Sequence, residues 1–451
     1  MKKLKEFLSL PTDTSSLVFL RITFGVLMLW ELSRYFSKNW IEDLYIKQDF
    51  HFKYEWFTWV DSLPGNGMYV VFILLMISAL FITLGLFYQI SITLFFLLYT
   101  YVFLIDQAYY NNHFYLICIF SFLMIFTPLH HSWSLDCYRG AIEHKQKLPA
   151  IWLWLMRFPM TMVYVYGAIA KIESDWLSGK ATRELLGRAN AGTFLEPLMN
   201  LQWTPVFYAW SGMLFDLLVP FAVLWKKTRI PAFTAAILFH TNNFIVFPIG
   251  VFQLLSLALT AIYFNPDFPK KLIPNWLKNN MYQLYRVPNH GVMNKNKNNM
   301  WPQKWLIGFL SLFIFFQLIL PFRHHLYPGE TKWHQVGHYY SWRMMLRQKL
   351  VEIRYDVIHP DTGEKRYAPL DDYLNASQIR SFIGNPGMNL QFAQHLRKLV
   401  LRHGGFDPII NAHILVSLNG RKSQILVDEK LDLGKLNQFT PAYMWVEKFK
   451  P

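Results

Sequence analysis

The sequence predicts a polytopic α-helical membrane protein, with about nine transmembrane helices and a small C-terminal extracytoplasmic α+β domain. Three observations predict it. Apolar residues make up 53% of the 451-residue chain and charged residues only 16%, against about 25% charge in an average soluble domain. In the first two thirds the apolar residues gather into nine runs. After about Gly329 the pattern changes to alternating, strand-like segments and a hairpin signal.

The runs lie at about 17–35, 68–87, 90–109, 114–129, 151–170, 205–225, 230–246, 249–264 and 305–322. A membrane helix needs roughly 20 residues to cross the hydrocarbon, so several of these are slightly short. Pro205, Pro220, Pro231 and Pro248 near span ends mark boundaries or kinks. Met1-Lys2-Lys3-Leu4-Lys5 resembles a signal n-region. Pro11 and Asp13 separate it from the first run and no small-residue cleavage site follows, so the first span is expected to be retained.

Lys plus Arg outnumber Asp plus Glu by 44 to 29, a net charge of +15. In a soluble protein that excess suggests nucleic acid. In an apolar chain it points instead to basic loops held on the cytoplasmic side, with membrane lipid and no nucleic acid as partner. Residues 265–304 hold Lys270, Lys271, Lys278, Arg286, Lys295, Lys297 and Lys304 against one acid, Asp267. Lys226-Lys227-Thr228-Arg229 is a second basic loop. Nine spans threaded from a cytoplasmic N-terminus put both loops inside and everything after residue 322 outside. The expected domains are 1–328, helical and transmembrane, and 329–451, extracytoplasmic.

In the second domain, 349–357 alternates and is rich in Val, Ile and Tyr. The turn Pro360-Asp361-Thr362-Gly363 and a short second strand follow, and 391–403 has helical spacing. Asn419-Gly420 stands between His413-Ile414-Leu415-Val416-Ser417-Leu418 and Gln424-Ile425-Leu426-Val427, a strong hairpin signal. The tract 294–299 reads as a polar loop. Cys118 and Cys137 make no CxxC pair and no disulfide framework, and no metal is expected. There is no GxGxxG, Walker loop, GxSxG or HExxH.

Polar groups in membrane spans are costly, so each needs an explanation. Asn111-Asn112-His113 stands where the third span gives way to the fourth. Its plain reading is a helix cap beside an interfacial histidine. Lys171 ends the fifth span, in Ala170-Lys171-Ile172-Glu173-Ser174-Asp175-Trp176. The plain reading is a snorkelling lysine in an aromatic belt. The functional reading is a desolvated lysine whose free amine acts as a base. Glu173 and Asp175 read as outer-loop charges, with pocket acids as the alternative, and Arg21 and Glu31 as residues that pair with other spans or snorkel. His240-Thr241-Asn242-Asn243 falls in the outer half of the seventh span, and His324-His325 follows the ninth. The threading places His113, Lys171, His240 and His324 at one leaflet, which points to a shared outer-leaflet pocket.

These residues carry a resemblance. The chain resembles the vitamin K-dependent γ-glutamyl carboxylases and their bacterial relatives, the horizontally transferred transmembrane domain (HTTM) proteins. Arg21-Ile22-Thr23-Phe24-Gly25 is similar to the family's Arg-x-x-x-Gly opening, and Asn111-Asn112-His113-Phe114-Tyr115-Leu116 to Asn-Asn-His-x-Tyr-Leu. Lys171-Ile172-Glu173-Ser174-Asp175-Trp176 is similar to Lys-Leu-Asp-x-Asp-Trp, Phe239-His240 with Phe252 to a fourth stretch, and Tyr340-Ser341-Trp342-Arg343-Met344-Met345 to Tyr-Ser-Trp-x-Met-Met.

The resemblance implies an integral enzyme of the bacterial inner membrane. Reduced vitamin K, or a menaquinol-type hydroquinone, is oxidised by O2 to its 2,3-epoxide. The strong base so generated takes a proton from the γ-carbon of a glutamate in a secreted peptide, and the carbanion captures CO2. Lys171 matches the base that deprotonates the hydroquinone, His113 the histidine of the carbanion and CO2 step, and Asn112 its orienting neighbour. His240, His324 and Tyr164 are the implied quinone-site residues. Where animal carboxylases carry His-x-Arg after Ser-Trp-x-Met-Met, this chain has Arg347-Gln348-Lys349, and its C-terminus is much shorter. Quinol epoxidation without carboxylation, a non-enzymatic transporter or lipid-binding protein, and a haem or quinone redox protein are the alternatives.

The threading makes a prediction. A reporter fused at the C-terminus and active only outside the cytoplasm is expected to give signal. A reporter active only inside that gives signal at the same junction would overturn the arrangement.

Overall fold

The computed structural model describes residues 2–247, 250–272, 274 and 300–451. Every apolar run is a helix in it: α1 Ser15–Ser37, α2 Gly67–Leu84, α3 Tyr88–Ile105, α4 Asn112–Phe126, α5 Ala150–Lys171, α6 Thr204–Ala222, α7 Arg229–Val246, α8 Phe252–Ala261 and α9 Lys304–Ile319. Six are long and apolar enough to cross a membrane: α1, α2, α3, α5, α6, and α9 with its continuation to Leu326. α4 has 15 residues and α8 has 10, and α7 carries Arg229 and its polar run. Length and composition thus support six spans among the described residues where hydropathy along the chain suggests nine. Pro248, Lys278, Arg286, Lys295, Lys297 and the 294–299 tract lie outside the described residues.

The Arg-x-x-x-Gly opening has a packing reason. Arg21 is fully buried and donates to the carbonyls of Ile82 and Thr83, each at 3.0 Å, and to that of Trp133. Ile82 and Thr83 close α2, where unpaired carbonyls and the negative helix end favour a cation. Gly25 lies one turn further on. A Cβ there would come within 2.2 Å of Thr83 Oγ1, so only glycine lets α1 approach α2 this closely. Arg21 therefore binds another span's backbone. Glu31 instead pairs within its own helix, with Arg34 at 2.6 Å.

The C-terminal region is a four-stranded antiparallel sheet with helices on one face. β1 is Lys349–Ile358, β2 Lys365–Tyr367, β3 Ile409–Leu418 and β4 Gln424–Ile425, in the order β2-β1-β3-β4. Asn419 (φ 51°) and Gly420 (φ 73°) make the β3–β4 turn, as the Asn-Gly pair predicts. α10 is Ala376–Phe382, opened by a capping box from Asn375 to Gln378. α11 is Pro386–His403, which begins five residues before the helical spacing is evident because Asn385 caps it and proline opens it. Tyr355, Phe382 and Phe392 form the core between sheet and helices. This layer is tied to the helical part by Gln378, which donates to Asp106 at 2.8 Å, and by Gln391, whose side chain pairs with both backbone groups of Lys53.

Candidate functional site

Lys171 is the last residue of α5, and Tyr164, Gly167 and Ala168 lie on the same helix face at three- and four-residue spacing. That face meets α6. The Lys171 ammonium forms a buried ion pair with Asp216, and it lies 5.5 Å from the centre of the Trp176 ring. Gly167 leaves room for the carboxylate, since a Cβ there would sit 3.3 Å from Asp216 Oδ2. The Tyr164 hydroxyl meets His240 Nε2 of α7 at 3.1 Å and Thr260 Oγ1 of α8 at 2.9 Å. Lys171, Asp216, Tyr164 and His240 line a cavity of about 290 Å³ whose remaining walls are largely apolar. Two of its wall residues, Phe207 and Leu238, are also exposed on the outer surface of the helices.

A second cavity, of about 280 Å³, holds Asn112, His113, His338, Arg343 and Arg347. Phe252, Met344 and Met345 wall both cavities. His113 is buried, its ring 5.6 Å from that of Phe252. Asn112 accepts a hydrogen bond from the Tyr110 hydroxyl at 3.1 Å, and its side chain makes no bond to His113. Burial brings the Arg347 guanidinium down to about 10, so it stays charged at neutral pH. It makes no hydrogen bond or ion pair among the described residues, and its buried Nη1 is unpartnered. His338 is held well below its ordinary range by burial and by Arg347, Arg343, Lys349 and Arg323, and is neutral.

His324 lies in a third cavity, with Glu173 and Arg343. Its Nδ1 meets the Pro321 carbonyl at 2.8 Å and its Nε2 the Arg343 guanidinium at 3.1 Å. The single shared pocket expected from the threading is therefore three adjoining cavities. The cause is the segment 340–345. Tyr340, Trp342 and Met345 all have positive φ, of 60°, 56° and 63°. Such backbone is rare outside glycine and gathers at functional sites. Here it drives Arg343, Met344 and Met345 between the helices.

Asp216 is a functional candidate that the sequence reading passed over. A signal was present: it is the only charged residue in 205–225. The reading of Glu173 and Asp175 as solvated outer-loop charges is corrected, and Glu173 lines the third cavity, as the pocket-acid alternative expects. Asp175 is buried and accepts from Arg421 at 2.6 and 2.9 Å, from Asn419 at 3.0 Å and from Lys332 at 3.1 Å. Glu173 accepts from Lys332 as well. The loop directly after Lys171 is thus clamped to the β3–β4 hairpin and to the segment that follows α9.

Burial raises the Asp175 carboxyl, but the bonds from Arg421, Asn419 and Lys332 outweigh it and hold the group far below the usual range. A carboxyl depressed in the folded state contributes stability above its unfolded value, about 3.9, and loses it as pH falls toward the folded value. Asp175→Asn is expected to destabilise the protein by about 3 kcal/mol at pH 7, the low end for breaking a buried pair, since Arg421 keeps some water. The gap to wild type should narrow below about pH 4. Thermal unfolding in detergent from pH 3 to 7 measures this, and a gap independent of pH would refute it.

Residues 10–268 match the HTTM domain family, and residues 302–450 match the family described as vitamin K-dependent gamma-carboxylase, lumenal domain. No solved structure matches the chain. The first match alone covers more than half of the sequence and holds α1 to α8, with Lys171, His113 and His240. The second holds α9, the segment 340–345 and the C-terminal sheet. With the two in this order on one chain, the protein belongs to the vitamin K-dependent γ-carboxylase family.

Proposed function

We propose that this membrane protein couples oxidation of a reduced naphthoquinone by O2 to carboxylation of glutamate in a secreted peptide. The observation that carries this reading is the buried Lys171–Asp216 pair in an apolar cavity, next to a second cavity that holds His113 and the unpartnered Arg347. The first cavity fits a quinone head group: aromatic and aliphatic walls, polar groups at Lys171, Tyr164 and His240, and a side at Phe207 and Leu238 where a lipid tail can pass out. When bound, the quinol supplies, with O2, the strong base that takes the γ-proton of glutamate.

The chain's own residues manage protons and water. A buried ion pair can discharge by passing the ammonium proton to the carboxylate, because both charges are costly in low dielectric. Asp216 taking the Lys171 proton leaves a free amine facing the cavity with no change in net charge. That amine accepts the hydroquinone proton. In the second cavity, the Arg347 guanidinium binds the γ-carboxylate of the peptide glutamate, a charge-assisted pairing suited to an unpartnered guanidinium. His113 stands beside that carboxylate, where a neutral imidazole supports the carbanion and CO2 step, with Asn112 at the cavity rim. His240 and Tyr164 orient the quinone, and His324 acts at one remove through Arg343. Phe252, Met344 and Met345 exclude water, which would protonate the carbanion.

We further propose the division 1–328 and 329–451, with the N-terminus cytoplasmic, the second domain extracytoplasmic and the bacterial inner membrane as location. This topology needs an odd number of crossings and therefore has α4, α7 and α8 cross together with the six longer apolar helices. A quinol then arrives through the bilayer and a secreted peptide from outside.

Two experiments test the reading. Lys171→Ala is expected to lower epoxide formation by at least about 10²–10⁴-fold, the usual worth of a positioned acid–base group. Lys171→Arg should fail likewise, because guanidinium keeps its proton. Asp216→Asn should lose most activity while a small exogenous amine rescues Lys171→Ala in part. Near-normal epoxide from well-folded Lys171→Ala would place the base elsewhere. His113→Ala should separate the half-reactions: with labelled bicarbonate and a glutamate peptide, fixed label falls much further than epoxide. Equal loss of both would assign His113 to the quinone side.

A further inference from the structure

The outer sheet leaves one edge open. β1 pairs with β3 along its whole length, but on its other side β2 covers only Asp356, Val357 and Ile358. The direction of the remaining backbone groups follows from two bonds. The Gln348 carbonyl accepts from the Asn419 N–H at 2.8 Å, so even-numbered residues of the strand face β3. The Tyr355 carbonyl accepts from the Ala368 N–H at 3.1 Å, so odd-numbered residues face away. The Lys349 carbonyl is taken by Arg188 of the helix Lys180–Asn190 at 3.3 Å. Val351 and Ile353 present both N–H and both C=O groups to the open side, and no described residue bonds to any of the four. Folded proteins cover or blunt such an edge, because unpaired strand groups recruit another chain. Between Val351 and Ile353 there is no proline, bulge or covering strand.

The edge is continuous with the site. β1 is the direct extension of 342–347, which walls the second cavity, and from Val351 back to Arg347 is four residues, about 13 Å of extended chain. Of the basic residues near this stretch, Arg354 is paired with Asp356 and Lys349 is bonded to the carbonyls of Trp333 and Gly384, which leaves the unpartnered Arg347 at the cavity as the group that suits an acidic side chain delivered from the edge.

Resting on the function proposed above, we infer that the open edge of β1 at Val351 and Ile353 receives the glutamate-bearing peptide as an added strand, whose chain then delivers the target side chain to the cavity at Arg347. The sheet is antiparallel throughout, so the added strand runs antiparallel to β1 and toward the cavity. The docking residues therefore lie on the N-terminal side of the target glutamate. Affinity comes from main-chain hydrogen bonds, so recognition tolerates varied sequence there.

The test uses the full chain in detergent with reduced naphthoquinone and three probes. One is a ten-residue Ser/Thr peptide with its only glutamate near the C-terminus, one is the same peptide with the glutamate near the N-terminus, and one is acetyl-Gly-Glu-Gly-amide. The first should slow hydrogen exchange of the Val351 and Ile353 amides, and the tripeptide should not. Ile353→Pro, which removes an edge donor that no other strand uses, should raise KM for the first probe about five- to tenfold, the loss of one main-chain bond, and leave the tripeptide unchanged. Should that variant fail to fold, N-methylation of alternate peptide amides reads the same bonds on the intact protein. A ten-residue peptide carboxylated with both amides unprotected overturns the edge, and preference for the second probe overturns the antiparallel direction. Carboxylation of none of the three overturns the functional reading and this inference with it.

Discussion

A lysine and an aspartate buried together among apolar helices constrain everything around them. Neither can be exposed without opening the site, and neither can be removed alone without leaving an uncompensated charge, at a cost of about 3–5 kcal/mol. The pair therefore fixes the approach of α5 to α6. Gly167 leaves space for the carboxylate, and the Trp176 ring covers the ammonium from the loop side. The clamp on the following loop meets the same need. Lys171 is the last helical residue, where chains fray. Asp175, four residues later, is held by Arg421, Asn419 and Lys332. The C-terminal sheet thereby holds the end of the helix that carries the lysine.

The second organising feature is the segment 340–345. Three residues with positive φ, none of them glycine, are held there by burial of Trp342 and by Tyr340 N–H donating to the Tyr110 hydroxyl at 2.8 Å. Tyr110 in turn donates to Asn112. The loop that precedes His113 and the segment that walls its cavity are thus one hydrogen-bonded unit, which accounts for Asn112 in terms of the cavity rim.

Much of the fold was legible in the sequence because its signals are local. Hydrophobic runs mark helices, alternation marks β1, and Asn-Gly marks the β3–β4 turn. Part of the expected grouping is present: Lys171 and His240 share a cavity, on two helices far apart in sequence, whereas His113 and His324 lie in the adjoining ones. The number of spans is less plain, since six helices are long and apolar enough to cross while α4, α7 and α8 are shorter or more polar. The partition into three cavities was hidden because it depends on backbone conformations that Tyr, Trp and Met rarely adopt. The clamp was hidden because its partners stand some 150 to 250 residues from Asp175, and loop acids are usually solvated. Asp216 was visible as a lone acid in an apolar run but had no motif around it.

The composition of the shared wall bears on how two cavities serve one reaction. In the reaction proposed above, a strong base generated beside Lys171 meets a carbon held near Arg347, and water must reach neither. A rigid polar wall would keep the cavities apart and leave unpaired groups if it moved. Met344 and Met345 have three rotatable bonds each and no strong donor or acceptor to strand, so they can repack at little cost. Phe252 adds a flat apolar face next to His113. The positive φ of Met345 anchors the wall at its backbone while leaving its side chains free to shift. A wall of this composition can therefore open between the two cavities without stranding an unpaired polar group.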